Sequence, residues 1–179
     1  NAKFLHIVRD PRDVAVSFKG YRYGSANVLE VTQKWSHAVE CSLREGAILG
    51  KDSYRLVRYE DIILEPERTL AGICDFIGVA YSPLMLDYRT MVEAKIPGDK
   101  RDLWPALGQL PQKDKVGRWR SEMSRAEQLI VEDHAKDLLT RLGYTTTQSG
   151  SRPIQSFLVE FWHFANRGNR IGRMVKRKP

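Results

Sequence analysis

The stretch from Lys3 to Ser17, KFLHIVRDPRDVAVS, constrains the fold of this chain more than any other. Lys3 to Val8 is a short, largely apolar run with Phe, Ile and Val, the composition of a strand buried on both faces of a parallel sheet. The run stops at Arg9. Asp10 is then a good helix N-cap and Pro11 a good first helical residue, since the N–H that proline lacks would have no helical partner there. Val14 to Tyr21 is accordingly predicted to be helical.

Such a strand-turn-helix unit gathers unbonded N–H groups and the positive helix end at the carboxyl edge of a sheet, where an anion can sit. Arg9 stands at that edge with a planar fork that suits a phosphate, and Ser17 lies about two turns along the helix. A second reading stays open on spacing alone, in which Arg9 pairs with Asp10 or Asp13 and Ser17 is a small residue at a helix contact.

The wording R-D-P-R-D-V-A-V-S after an apolar strand resembles the 3'-phosphate-binding segment of the sulfotransferases that use 3'-phosphoadenosine 5'-phosphosulfate (PAPS). The resemblance implies that Arg9 and Ser17 hold the 3'-phosphate of that donor.

Farther on, Val31, Trp35, Ala38, Val39 and Leu43 recur at spacings of three and four, which predicts a helix from about Val28 to Leu49 with one apolar face. Trp35 and His37 are read either as core and solvated helix residues or, following the resemblance, as neighbours of an acceptor pocket. Tyr54 to Tyr59 (YRLVRY) has strand composition, and Pro66 to Ile77 follows as a helix with Leu70, Ile73, Cys74 and Ile77 as its buried stripe. Two strand-loop-helix units in succession are the mark of a parallel sheet. The passage RLVRYEDIILEPERTLAGICDFIGV resembles the same family, which implies that Tyr59 borders the adenosine pocket. Glu60 and Asp61 read as structural rather than acid-base residues.

Prolines and glycines break Met85 to Gln112 into a short helix and a long loop, a candidate lid. Ser124 with Glu127 forms a capping box that opens a helix running to about Leu142. Before it, KDKVGRW (Lys113 to Trp119) and the later Leu142-Gly143-Tyr144 resemble the end of the sulfotransferase domain. The family's Arg-Lys-Gly triplet is replaced by Gln112, Lys113 and Asp114, so Lys113 alone carries over. Lys115, Gly117 and Arg118 complete the expected cofactor-binding set; the alternative for the cations is solvated loop residues.

The expected fold is α/β, a parallel sheet flanked by helices in the P-loop nucleotide-kinase-like sulfotransferase manner, incomplete at the N-terminus. Residues 1–144 would be the carboxyl-terminal portion of the domain, 145–153 a polar linker, and 154–179 a basic amphipathic helix and tail. From Ser151 to Pro179 there are seven basic residues against Glu160, so this end holds nearly all of the net charge of +7. It could contact an anionic membrane surface or dock on the body.

The resemblance implies that the catalytic residues lie upstream of Asn1, since the family's Lys-bearing loop and proton-accepting residue precede the 3'-phosphate segment, and no Gly-Lys-Ser/Thr or Pro-Lys-Ser/Thr-Gly loop occurs in the sequence. The implied reaction is sulfuryl transfer from PAPS to a hydroxyl or amine of a sugar, lipid or small molecule, without a metal, the isolated segment being inactive. Nucleic acid is not expected as a partner. A nucleotide kinase is the alternative enzyme and would need a Walker loop; a non-catalytic anion- or membrane-binding module using the tail is the other. Cys41 and Cys74, both in predicted helices, read as reduced thiols and point to a cytoplasmic setting.

Overall fold

The structure, a computed structural model, describes residues 2–20, 27–87 and 112–147. The chain forms two compact units: Asn1–Arg9 with Val39–Arg118, and Asp10–Ala38 with Trp119–Pro179.

The first unit is built on two parallel strands, β1 (Phe4–Val8) and β2 (Tyr54–Arg58). Their register runs from Phe4↔Tyr54 to Val8↔Arg58. Two helices lie between them in sequence, α1 (Pro11–Gly20) and α2 (Val28–Leu49), as a crossover between parallel strands requires. Gly50 ends α2 at φ 75°, a left-handed conformation that costs glycine nothing, with its N–H bonded to the Gly46 carbonyl at 3.0 Å. After β2 come α3 (Tyr59–Leu64) and α4 (Pro66–Ile77). Val8, Val39, Val57, Ile63 and Cys74 are buried here.

The described part of the second unit is helical. Among the described residues it holds α1, the first half of α2, and three later helices: α5 (Trp119–Glu122), α6 (Arg125–His134) and α7 (Lys136–Arg141). Ala15, Val16, Val28, Val31, Trp119, Met123 and Val131 form its apolar core. The capping box is present: the Ser124 hydroxyl accepts from the Glu127 N–H at 3.3 Å, and the Glu127 carboxylate accepts from the Ser124 N–H at 2.9 Å.

The α/β class with a parallel sheet agrees with the sequence reading, and the boundaries of α2 and α4 coincide with those expected. Several expectations need correction. β1 is not buried on both faces. Phe4 is 49% exposed and Ile7 52%, and among the described residues β2 alone pairs with β1. Tyr59 does not end a strand but opens α3, a helix the sequence reading missed, so Glu60 and Asp61 are helical. Ile77 is exposed rather than part of a buried stripe. The single helix expected from Ser124 to Leu142 is divided at Ala135, whose φ of −106° and ψ of 14° interrupt it. Trp35 and His37 both lie on α2, Trp35 half-buried and His37 exposed.

The basic segment 154–179, most of the linker, Tyr21 and most of the candidate lid from Met85 to Gln112 lie outside the described residues. No helix among the described residues is long and apolar enough to cross a membrane.

Candidate anion-binding site

Val8↔Arg58 is the last pair in the β-ladder, so the residues that follow on each strand, Arg9 and Tyr59, emerge side by side. The guanidinium carbon of Arg9 lies 4.7 Å from the centre of the Tyr59 ring, a cation–π contact. Arg9 Nη2 also donates to the Lys115 carbonyl at 2.8 Å. That carbonyl belongs to a single 3-10 turn, Lys113–Lys115. Gly117 follows at φ 78°, a left-handed backbone that a side chain would strain.

The structure therefore brings Arg9, Tyr59 and Lys115 together within the first unit. Lys115 contributes its carbonyl, while its side chain is half-buried; Lys113 is exposed and Arg118 half-buried. Ser17 is half-buried on α1, in the second unit. The ring contact and the hydrogen bond together hold the Arg9 guanidinium in place. A guanidinium held beside an aromatic ring and a carbonyl is the kind of group that suits an anion.

Buried Glu60 sits on the first turn of α3, with a carboxylate oxygen 3.9 Å from Nε of Arg58. Asp61 gives its backbone carbonyl to the Thr69 hydroxyl at 2.9 Å, which ties α3 to α4. The Glu60 contact agrees with the structural reading of that residue. His6, which the sequence reading left out of the site, meets the Tyr54 hydroxyl through Nδ1 at 2.5 Å. Burial lowers the His6 pKa and raises that of Tyr54.

Sequence reasoning missed Arg12. Its side chain is 1% exposed and donates from Nη2 to Asp10 Oδ2 at 2.7 Å, from Nε to Asp10 Oδ1 at 2.9 Å and from Nη1 to Glu132 Oε1 at 2.8 Å. The guanidinium carbon is 3.7 Å from the centre of the Trp119 ring. Burial acts against its charge, but hydrogen bonding to Asp10 and the negative charges of Asp10 and Glu132 outweigh it, so its pKa is raised. The Asp10 carboxylate also accepts from the Arg12 N–H at 2.9 Å, the capping expected of it. Nothing local in the sequence marks Arg12, because its second carboxylate lies 120 residues away.

Among the described residues no group of three His, Cys, Asp or Glu is placed to hold a metal ion.

A family model described as "Sulfotransferase family" matches residues 1–83. The protein-tyrosine sulfotransferase of Drosophila melanogaster is 31% identical over 99 residues, which cover 51% of this chain and 19% of that protein. Sulfotransferase 2A1 of Rattus norvegicus is 28% identical over 154 residues, covering 70% of this chain and 53% of that protein. Among solved structures, the sulfotransferase domain from the Synechococcus PCC 7002 olefin synthase superposes with a TM-score of 0.60 at 27% identity, over 77% of this chain and 49% of that one. The chain thus spans about a fifth of the first relative and about half of the other two. Residues 1–83 thus match the sulfotransferase family model, and the relatives and the solved domain that the chain resembles are sulfotransferases of which it spans a part.

Proposed function

We propose that this chain carries the 3'-phosphate-binding half of an enzyme that moves a sulfuryl group from PAPS to a hydroxyl or amine. In this reading the fork of Arg9 grips the phosphate, the Ser17 hydroxyl adds a bond from α1, and Tyr59 borders the nucleoside. Lys113, Lys115 and Arg118 supply positive charge from the 113–118 turn, and the left-handed backbone at Gly117 lets that turn close. The acceptor would be a sugar, lipid or small molecule, or a tyrosine hydroxyl of the kind named for the Drosophila relative.

The observation that carries the reading is the Arg9–Tyr59–Lys115 cluster. A guanidinium already oriented by a ring and a carbonyl loses little freedom on meeting an anion, so more of the interaction appears as affinity. Transfer also needs a cation at the leaving oxygen and a group that takes the acceptor proton. This reading assigns neither role to a described residue, so the isolated chain is expected to bind without turning over.

Calorimetry on the full chain tests this. 3'-Phosphoadenosine 5'-phosphate should bind at least tenfold tighter than adenosine 5'-phosphate, and the difference should vanish in Arg9→Ala. Equal affinity of the unmodified chain for the two nucleotides would refute the site assignment.

A further inference from the structure

We infer that Arg12 is a positioning residue for the anion site, holding the two points of backbone from which Arg9 and Arg118 depart. The inference rests on the reading just given for those two residues.

Asp10 is peptide-bonded to Arg9, and Trp119 to Arg118. Both neighbours are gripped by the same side chain within the second unit. Arg12 engages both carboxylate oxygens of Asp10, at 2.9 and 2.7 Å, and its guanidinium carbon sits over the Trp119 ring, 3.7 Å from its centre. The Trp119 backbone is held as well, since its N–H donates to Asp13 Oδ1 at 3.0 Å, and the Asp13 side chain is buried. Glu132 completes the arrangement by accepting from Arg12 Nη1 while its carboxylate also accepts from the Thr147 hydroxyl at 2.8 Å.

This arrangement is not explained by stability. Taking an arginine and two carboxylates out of water costs free energy that their attraction often only offsets, and well-packed apolar residues commonly do as well. What the ions add is direction. A planar fork bound at three nitrogens and stacked on a ring has one orientation, so the backbone at Asp10 and Trp119 has one as well. Lysine has the charge without the fork, which makes Arg12→Lys a test of geometry at constant charge.

The test uses the full chain and the ratio of dissociation constants for adenosine 5'-phosphate and 3'-phosphoadenosine 5'-phosphate, read beside a thermal melt. In Arg12→Lys and Arg12→Met the ratio should fall roughly tenfold, as loss of a supporting partner does at other sites. Affinity for adenosine 5'-phosphate should change less than about twofold, and the lysine variant should not restore the ratio.

An unchanged ratio in either Arg12 variant that melts cooperatively would overturn the inference. So would joint loss of folding and binding in both variants, since the role would then be structural only. A ratio of one in the unmodified chain is a different outcome: it removes the 3'-phosphate reading itself and the inference with it.

Discussion

The ring of Tyr54 occupies the space that a side chain at Gly46 would need: a Cβ there would stand 2.5 Å from its Cε1 atom. Alanine normally favours a helix interior over glycine by about 1 kcal/mol. Here the ring cannot move aside without leaving His6, to which its hydroxyl is bonded at 2.5 Å. Overpacking typically costs 1–3 kcal/mol, so Gly46→Ala should lower the melting temperature. The same change in a Tyr54→Ala background should raise it. Stabilisation by Gly46→Ala alone would show that the ring yields freely.

His6 should make the first unit sensitive to mild acid. Its pKa is lowered from an ordinary 6.5 because burial disfavours the charged ring. The unfolded chain then takes up the proton first. The His6 contribution is therefore full above about pH 6.5 and is lost as pH falls toward the folded value. Comparing melts of the protein and His6→Gln at pH 7.5 and 5.5 isolates it: the gap between them should shrink on acidification. A gap that widened would mean that the folded state favours the charged ring.

The Tyr59 ring supports Arg9 through its face, not its hydroxyl. Tyr59→Phe should leave the affinity for 3'-phosphoadenosine 5'-phosphate within a factor of two. Tyr59→Ala should lower it about fivefold, the equivalent of a cation–π contact of about 1 kcal/mol. Equal loss in both variants would instead assign the effect to the hydroxyl.

Neighbouring apolar positions on β1 should respond very differently. Val8 is 2% exposed, and Val8→Ala should cost about 2 kcal/mol in chemical denaturation of the chain. Ile7 is 52% exposed, and Ile7→Thr should change stability by less than about 0.5 kcal/mol. A large loss from Ile7→Thr would mean that this position is covered in solution.

How much was legible in the sequence depended on how local the cause was. The α2 and α4 boundaries were readable because apolar spacing and Pro66 act within a few residues. The Ser124–Glu127 capping box is a three-residue relationship and appeared as written. The break at Ala135 was not readable, because the apolar pattern of Leu129 and Ile130 before it continues through Leu138, Leu139 and Leu142 after it. α3 was hidden for a related reason: YEDIIL is compatible with a turn as well as with a short helix, and its packing against β2 and α4 selects the helix.

By itself the sequence determined a parallel α/β class, the helices whose caps and stripes are local, and the choice of Arg9, Ser17, Tyr59 and the 113–118 turn as candidates. Only tertiary structure decided that Arg9 rests on Tyr59, because that meeting depends on a strand register linking Val8 to a residue fifty positions away. It likewise decided that β1 would be half-exposed and that Arg12 would be buried between Asp10 and Glu132. Burial and long-range pairing are set by which surfaces meet, and no short window of residues contains that information.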